Sequence, residues 1–185
     1  MWALVGLGNP GRRYIRTRHN VGFLFVKRVA KDWGIKLRKR VCFSKAASME
    51  KDGEAVFLAL PQTYMNRSGQ ALKCLLDSKG VVPECLLVVY DDLDIPLGEI
   101  RIRKSGGAGT HKGMNSIVNE IQTIHFPRIR IGIGPLNPEV PATDFVLSPF
   151  EDEDLPLLGE GLAKAQKALD EILEGNIEAA MSRYN

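Results

Sequence analysis

The sequence predicts a single α/β domain built on a mixed β-sheet. Its 185 residues match the length of one ordinary domain. Strand-like and helical segments alternate along the chain, and no change of composition marks a linker or a repeat. A continuous apolar run at residues 86–90 is typical of a strand that is covered on both faces. These observations favour a sheet with helices packed against it.

The other elements follow from hydrophobic periodicity and turn residues. Residues 1–8 resemble a buried strand, and residues 21–33 an amphipathic helix that Gly34 ends. Strands over residues 36–47 and 54–60 are expected to join around Asp52-Gly53, a hairpin turn signal. The pattern also predicts a helix at 68–77, a strand at 100–104, a helix at 113–123, a strand at 128–134 and mostly helix after 141.

The net charge of +3 conceals a marked asymmetry. Residues 151–185 carry nine acidic and three basic residues, whereas residues 1–150 carry 13 acidic and 22 basic ones. A body this basic has an electropositive field of the kind that attracts polyanions such as nucleic acid, but charge alone favours the simpler interpretation of a protein with lysines on its surface. No apolar run is long enough to cross a bilayer, and the chain begins directly with a strand-like pattern. We therefore expect a cytoplasmic protein with no membrane partner.

The three cysteines, Cys42, Cys74 and Cys85, are scattered and odd in number. Without CxxC spacing they indicate neither a disulfide framework nor a zinc site. We expect them to be small buried apolar residues.

A glycine-rich turn, GLGNPG, follows the first strand and matches the spacing of a dinucleotide-binding loop. That loop requires its third glycine to open a helix, and here Gly11 is followed by RRYIRTR, which has no helical period. Asp32, the nearest candidate for a ribose-binding acid, falls inside the later helix. A nucleotide-dependent oxidoreductase is therefore the weakest alternative.

A histidine and an acid are the strongest candidates for catalysis. His19 precedes the first helix, where an exposed imidazole has a pKa suited to proton transfer. Asp91 follows the apolar run, at the edge where open α/β sheets place their sites. A carboxylate there can hold one imidazole nitrogen and leave the other to take a proton from water. The alternatives are a surface histidine, a turn in which Asp92 and Asp94 cap backbone amides, and a weaker Mg²⁺ site.

Amides and cations supply further candidates. Asn9 and Asn66 follow strand-like segments and are expected at the same sheet edge, where an amide can donate to an oxyanion; turn and cap roles are the alternative. Arg101 and Arg103 alternate along one strand and so share a face. With Lys104, the SGGAG loop, Lys112 and Arg130, they suit a bound phosphate, or else form a solvated sheet face.

Five segments in order, GLGNPG…Y…TRHNVG, LPQTYMNRSG, VVYDDLDIPLG, SGGAGTHKGMNSI and RIRIGIG, make the whole chain resemble the bacterial peptidyl-tRNA hydrolase family. The resemblance implies one domain over residues 1–185 with a mixed sheet between helices, a three-layer αβα arrangement. It also implies hydrolysis of the ester that joins a peptide to the 3′ end of tRNA. No cofactor or metal is implied, and a monomer is expected.

The resemblance assigns roles to the candidate catalytic residues. His19 corresponds to the general base that activates water, and Asp91 to the carboxylate that orients it. Asn9 corresponds to the residue that separates peptidyl-tRNA from free aminoacyl-tRNA, and Asn66 to one that positions the ester.

The tRNA contacts are implied in the same way and involve mainly the acceptor end and backbone phosphates. Tyr14 and Tyr64 correspond to positions that line the site for the tRNA end. Arg103 and Arg130 resemble a pair that holds the 5′ phosphate, and Arg101 occupies a commonly basic position.

One position departs from the family pattern. Where the family usually has GHNG or THNG, this chain has Thr110-His111-Lys112-Gly113, so Lys112 replaces an asparagine associated with substrate and water placement. An ammonium close to His19 would lower the pKa of the histidine, and the alternative is that the long side chain turns out to a phosphate. We expect activity to survive, with altered affinity for tRNA. The principal alternative is a non-catalytic RNA-binding relative on the same fold.

Overall fold

The computed structural model describes residues 1–185 as seven strands and six helices. The strands are β1 (Trp2–Gly6), β2 (Lys39–Val41), β3 (Ser44–Lys51), β4 (Glu54–Pro61), β5 (Leu86–Pro96), β6 (Ile100–Arg103) and β7 (Arg128–Gly134). The helices are α1 (Val21–Asp32), α2 (Ser68–Lys79), α3 (Lys112–Ile121), α4 (Ala142–Leu147), α5 (Leu155–Leu173) and α6 (Ile177–Tyr184). None of these helices combines the length and apolarity that a membrane-spanning segment needs.

The strands form one mixed sheet in the order β2-β3-β4-β1-β5-β7-β6. β4, β1, β5 and β7 run parallel to one another, and β2, β3 and β6 add antiparallel edges. The carboxyl ends of β4, β1 and β5 therefore meet at one edge, where open α/β sheets place their sites.

Side chains alternate between two cores on the two faces of the sheet. Along β4, Val56, Leu58 and Leu60 belong to one core, whereas Phe57 and Ala59 belong to the other. Apolar residues of α1, α5 and α6 complete the first core, and those of α2 and α3 complete the second. This three-layer arrangement confirms the predicted fold class.

Close backbone packing fixes α1 against the end of β1. A Cβ atom on Gly6 would lie 2.2 Å from the carbonyl oxygen of Gly22, and one on Gly22 would lie 2.3 Å from that of Val89. Side chains at these positions would push helix and sheet apart, because interiors are closely packed. The two glycines thus hold the residues just before α1 at the sheet edge.

Two predicted strands differ from the observed ones by more than one to two residues at an end. The strand expected at residues 36–47 is divided into β2 and β3, because Cys42 and Phe43 adopt positive φ angles of 47° and 55° and reverse the chain. Two consecutive residues with positive φ form the tight hairpin turn that matches strand twist. The strand expected at 86–90 continues to Pro96, although its pairing with β1 ends at Val89, opposite Gly6.

The expectation of three unpaired cysteines was wrong. Cys42 and Cys74 form a disulfide with their Cα atoms 5.3 Å apart, and only Cys85 is free and half-buried. The β2–β3 turn brings Cys42 against α2, which carries Cys74. Their separation of 32 residues along the chain gave no sign of this contact.

Candidate active site

His19 and Asp91 are in direct contact at the edge of the sheet. Nδ1 of His19 lies 2.9 Å from both Oδ1 and Oδ2 of Asp91. An ionised carboxylate only accepts hydrogen bonds, so the Nδ1–H donates and the lone pair of the neutral ring lies on Nε2. Contrary to the expected exposed imidazole, only 10% of the His19 side chain is exposed. A buried ring held at one nitrogen is better oriented for proton transfer than a mobile surface one.

Neighbouring residues on both sides hold the turn that carries His19. Asn20 donates from Nδ2 to the carbonyl oxygen of Asn9, and its Oδ1 accepts from the Asn9 N–H, at 2.9 and 2.8 Å. The guanidinium of Arg18 donates two hydrogen bonds to Oδ2 of Asp154, just before α5. The imidazole is therefore fixed between the loop after β1 and the C-terminal helices.

A second histidine, His111, contacts the same carboxylate. Its Nε2 lies 3.0 Å from Oδ1 of Asp91, and its Nδ1 accepts the backbone N–H of Met114 at 3.2 Å, which caps α3. Because the backbone donor occupies Nδ1, the proton of the neutral ring belongs on Nε2, which donates to Asp91. The His19 and His111 rings lie 5.0 Å apart, and the Tyr90 and His111 rings meet edge to face at 4.8 Å.

The Asp91 carboxylate is ionised despite its burial. Burial alone raises the pKa of Asp91, but the electrostatic interactions and hydrogen bonds that it makes with His111 and His19 outweigh this effect. The net result is a pKa well below the usual range of an aspartate. The acid therefore acts as a permanent acceptor for both imidazoles at neutral pH.

Asn9 presents only a donor to the open space of the site. Its Oδ1 accepts the backbone N–H of Met65 at 2.8 Å, which fixes the orientation of the amide. The Nδ2 group makes no hydrogen bond within the protein, and Asn9 lines the cavity described next. This donor is aimed at whatever occupies the site.

A cavity of about 680 Å³ opens over these residues. Its lining includes six polar residues: Asn9, His19, Asn66, Asp91, His111 and Lys112. The 105–109 glycine loop, Arg103, Arg128, Arg130 and residues of α4 also line it. A proton-accepting imidazole, an amide donor and a cationic wall are thus combined in one cavity of a size suited to a substrate.

The arginines of β6 and β7 share one face of the sheet. Arg101 lies opposite Arg130 and Arg103 opposite Arg128 in the antiparallel pair. The Nε–H of Arg130 donates to Oδ2 of Asp92 at 2.6 Å, which leaves its two terminal nitrogens for another partner. Arg128, which the sequence did not single out, is buried and donates to the carbonyls of Gly106 and Gly107, so it positions the glycine loop.

The family model described as peptidyl-tRNA hydrolase matches residues 3–185. The chain belongs to the peptidyl-tRNA hydrolase family. Curated peptidyl-tRNA hydrolases support this membership: one from Chloroflexus aggregans is 47% identical and one from Alkaliphilus metalliredigens 43% identical, and each alignment covers 100% of this chain and 99% or 100% of the relative. A crystal structure of peptidyl-tRNA hydrolase from Acinetobacter baumannii matches with a TM-score of 0.93 at 36% identity, over 100% of this chain and 94% of that one.

In this peptidyl-tRNA hydrolase family member, most of the predicted site residues lie together. His19, Asp91, Asn9, Asn66 and Lys112 line one cavity, and so do Arg103 and Arg130. Three predicted residues are outside that lining: Arg101, Tyr14 and Tyr64. The two tyrosine rings meet edge to face at 6.4 Å, and Tyr64 immediately precedes Met65, which does line the cavity.

The sequence analysis assigned no role to His111 or Asn20, and to Asp92 only the capping of a backbone amide. In the THKG segment Lys112 is the departure from the family pattern, but His111 is the residue that contacts Asp91. Asp92 was expected to cap a backbone amide; its Oδ1 does accept the N–H of Asp94 at 2.9 Å, and its Oδ2 also pairs with Arg130. Asn20 lies within the TRHN segment, next to His19, and that position was the only available signal.

His19, Asp91 and His111 also form the one group of side chains that could coordinate a metal ion. Their ligand atoms all lie within 4.8 Å of one another. The nitrogen–oxygen distances of 2.9–3.0 Å are those of N–H···O hydrogen bonds, which explain the arrangement fully. The acids of DDLD do not gather around a cation site, because Asp91 and Asp92 are engaged with histidine and arginine, respectively.

Proposed function

We propose that this chain hydrolyses the ester between a peptide, or an N-blocked aminoacyl group, and the 3′ end of tRNA. The observation that carries the proposal is the His19–Asp91 contact of 2.9 Å beneath a cavity that also presents the unpaired Asn9 amide and a wall of arginines. Such a site combines a base for water, a donor for the oxyanion and a grip for phosphate.

In the proposed reaction, Nε2 of His19 takes a proton from a water molecule as the water oxygen attacks the ester carbonyl. The carbonyl becomes a tetrahedral oxyanion, which then collapses and breaks the bond to the tRNA 3′ oxygen. The proton held on His19 passes to that oxygen, so a carboxylic acid and a free 3′ hydroxyl leave. Asp91 stabilises the transient imidazolium, and a general base of this kind contributes about 10²–10⁴-fold to the rate.

Asn9 supplies the donor in this scheme. Its Oδ1 is already occupied by the Met65 N–H, so only the Nδ2 hydrogens face the substrate. They can donate to an oxyanion or to the carbonyl of an amide-linked peptide. A free aminoacyl group carries an ammonium instead, which finds no acceptor on this amide. The orientation therefore supports selection for N-blocked substrates. Asn66, which lines the same cavity, is proposed to position the ester.

The cationic wall is proposed to hold the tRNA. Arg103 and the terminal nitrogens of Arg130 line the cavity beside the glycine loop and suit a terminal phosphate. Lys112 is exposed, has no partner in the protein and can extend to a second phosphate. Tyr14 and Tyr64 offer ring faces and edges to the unpaired bases of the tRNA end.

The enzyme is further proposed to act as a monomer, as one domain over residues 1–185, in the cytoplasm and without a cofactor. The seven-stranded sheet supports the single domain, since α-helices from both ends of the chain contribute to its first core.

Incubation with N-acetylated aminoacyl-tRNA tests the activity, with the His19→Ala variant beside the wild type. We expect release of the N-acetylamino acid by the wild type, a loss of about 10²–10⁴-fold in turnover for the variant, and tRNA binding by both. Exposed His125 provides the control, because His125→Ala should retain full turnover. Binding without release by the wild type would establish the non-catalytic RNA-binding alternative.

A further inference from the structure

A second cavity, of about 550 Å³, lies between α1, the following loop and β3. Its floor is apolar, formed by Ala30, Ile35, Leu37 and Leu60. The charged residues that line the cavity are all cations: Lys27, Lys31, Lys36, Arg38 and Lys45. We call this cavity the basic groove. No acidic residue lines it.

The charge of the basic groove is not neutralised within the protein. None of its five cationic side chains forms a salt bridge or a hydrogen bond; the eleven ion pairs of the structure all involve other residues. Residues 27–45 contain eight basic residues and one acid, Asp32, which pairs with Arg28 outside the groove. Outside the groove three lysines face a carboxylate, namely Lys51, Lys104 and Lys164, whereas exposed lysines such as Lys73 and Lys167 stand alone.

Two cations of the basic groove repel each other. Partial burial lowers the pKa of Lys27, and the nearby ammonium of Lys45 lowers it further. An anion placed between the two lysines would remove that repulsion. The arrangement is therefore that of an anion site.

The basic groove is separate from the active site but close to it. Lys27 lies eight residues after His19, and Lys31 lies twelve residues after it. At 1.5 Å per helical residue, the two lysines are about 12 and 18 Å from His19 along the axis of α1. The groove borders β3 and β4, whereas Arg103 and Arg130 lie on β6 and β7, across β1 and β5. Leu60 and Ala30 of the groove belong to the first core, whereas the arginines alternate with first-core residues of β6 and β7, so the two cationic regions lie on opposite faces of the sheet. The catalytic histidine lies at the sheet edge between them.

We propose that the basic groove is a second RNA contact, which binds backbone phosphates of the tRNA body while the acceptor end occupies the active site. This inference rests on the proposed function. RNA carries one charge per nucleotide along a continuous backbone, which suits several cations spread along a groove better than a single small anion does. The apolar floor offers a surface for ribose, and flexible lysines hold phosphates without reading sequence.

Two charge-reversed variants with equal net charge test the proposal. Lys36→Glu/Lys45→Glu changes the groove from its two sides, and Lys73→Glu/Lys167→Glu changes exposed, unpaired lysines on α2 and α5. Each is assayed with full-length N-acetyl-aminoacyl-tRNA and with the same N-acetyl-aminoacyl ester on a CCA trinucleotide. The trinucleotide fills the active site but lacks the tRNA body that the groove is proposed to bind.

For the groove variant we expect KM for full-length tRNA to rise about tenfold with kcat unchanged, and the trinucleotide kinetics to stay at the wild-type level. The slope of log affinity against log salt should become less steep by about two, because two phosphate contacts are lost. The control variant should match the wild type on both substrates. Should the glutamates prevent folding, the neutral Lys36→Gln/Lys45→Gln pair is predicted to give the same selective loss at smaller amplitude.

Several results would overturn the proposal. These are an unchanged KM for full-length tRNA, an equal loss on the trinucleotide, or an equal loss in the control variant. Groove-dependent binding of phosphatidylglycerol vesicles or of poly-glutamate, without groove-dependent binding of tRNA, would equally exclude it. Failure of the wild type to hydrolyse either substrate would reject the proposed function instead, and binding of uncharged tRNA to the same variants would still test the groove.

Discussion

At the scale of single residues, one carboxylate organises the site. Asp91 accepts a hydrogen bond from His19, in the turn before α1, at 2.9 Å. It accepts another from His111, at the start of α3, at 3.0 Å. Its position two residues beyond Val89, where pairing with β1 ends, leaves room for both rings. Only His19 has a nitrogen left for a proton from water, since both nitrogens of His111 are engaged.

His111 should therefore act as a positioning residue for Asp91. In the His111→Ala variant one hydrogen bond to a buried charge is lost, and we expect kcat to fall about tenfold with KM within about twofold. His111→Gln keeps a donor and should recover part of the loss. Steady-state kinetics with N-acetyl-aminoacyl-tRNA checks both variants. A change confined to KM would contradict this role.

The pKa of Asp91 also makes stability depend on pH. Its folded pKa lies below the ordinary value of 3.8, so its contribution to stability is fully present above pH 4 and is lost as the pH falls through the folded pKa. The Asp91→Asn variant lacks this contribution. Its deficit in unfolding free energy relative to the wild type should be large at pH 7 and smaller at pH 3 in urea titrations. Exposed Asp94→Asn should show little deficit at either pH; a constant deficit for Asp91→Asn would contradict the assignment.

At the scale of elements, the sequence predicted existence and order better than bounds. Continuous or alternating apolar residues located β1, α1, β4, β5 and β7 because burial imposes those periods. The division of residues 36–47 escaped this reasoning, since Cys42 and Phe43 at a tight turn with positive φ are unusual choices. His111 escaped because its partner, Asp91, is 20 residues away, and only the folded chain brings them together.

The disulfide is an element-scale link between the β2–β3 turn and α2. It closes a loop of 32 residues, and such a link stabilises a folded chain by about 2–4 kcal/mol in the loop-entropy treatment. We expect the Cys42→Ser/Cys74→Ser variant to lose stability of that order, with turnover unchanged because neither residue lines the active-site cavity. Thiol titration of the unfolded oxidised protein should give one free thiol, from Cys85. Three thiols would show that the pair is reduced.

At the scale of the whole molecule, the charge asymmetry suits an RNA substrate. The excess of basic residues lies in residues 1–150, which carry both the active-site arginines and the basic groove, whereas the acidic residues 151–185 form α5 and α6. The composition agreed with this partner class but alone favoured ordinary surface lysines, and it was the resemblance to the family that implied tRNA. The composition could not predict where the cations gather, because that depends on how α1, β3 and β7 are placed in the sheet.

Binding of tRNA should consequently depend strongly on salt. For four or five phosphate contacts, affinity is expected to fall about 10²–10³-fold between 50 and 200 mM monovalent salt. Fluorescence anisotropy of labelled uncharged tRNA measures this directly. A flat response would count against tRNA as the substrate, whatever the outcome for individual arginines.

The packing of Gly6 against Gly22 fixes the distance between the two places where a long RNA is proposed to bind. It fixes the start of α1, and α1 carries the histidine turn at one end and Lys27 and Lys31 farther along. A single rigid helix therefore sets the interval between the scissile ester and the second set of phosphates. An RNA whose backbone spans that interval can engage both at once, and a shorter one gains nothing from the second.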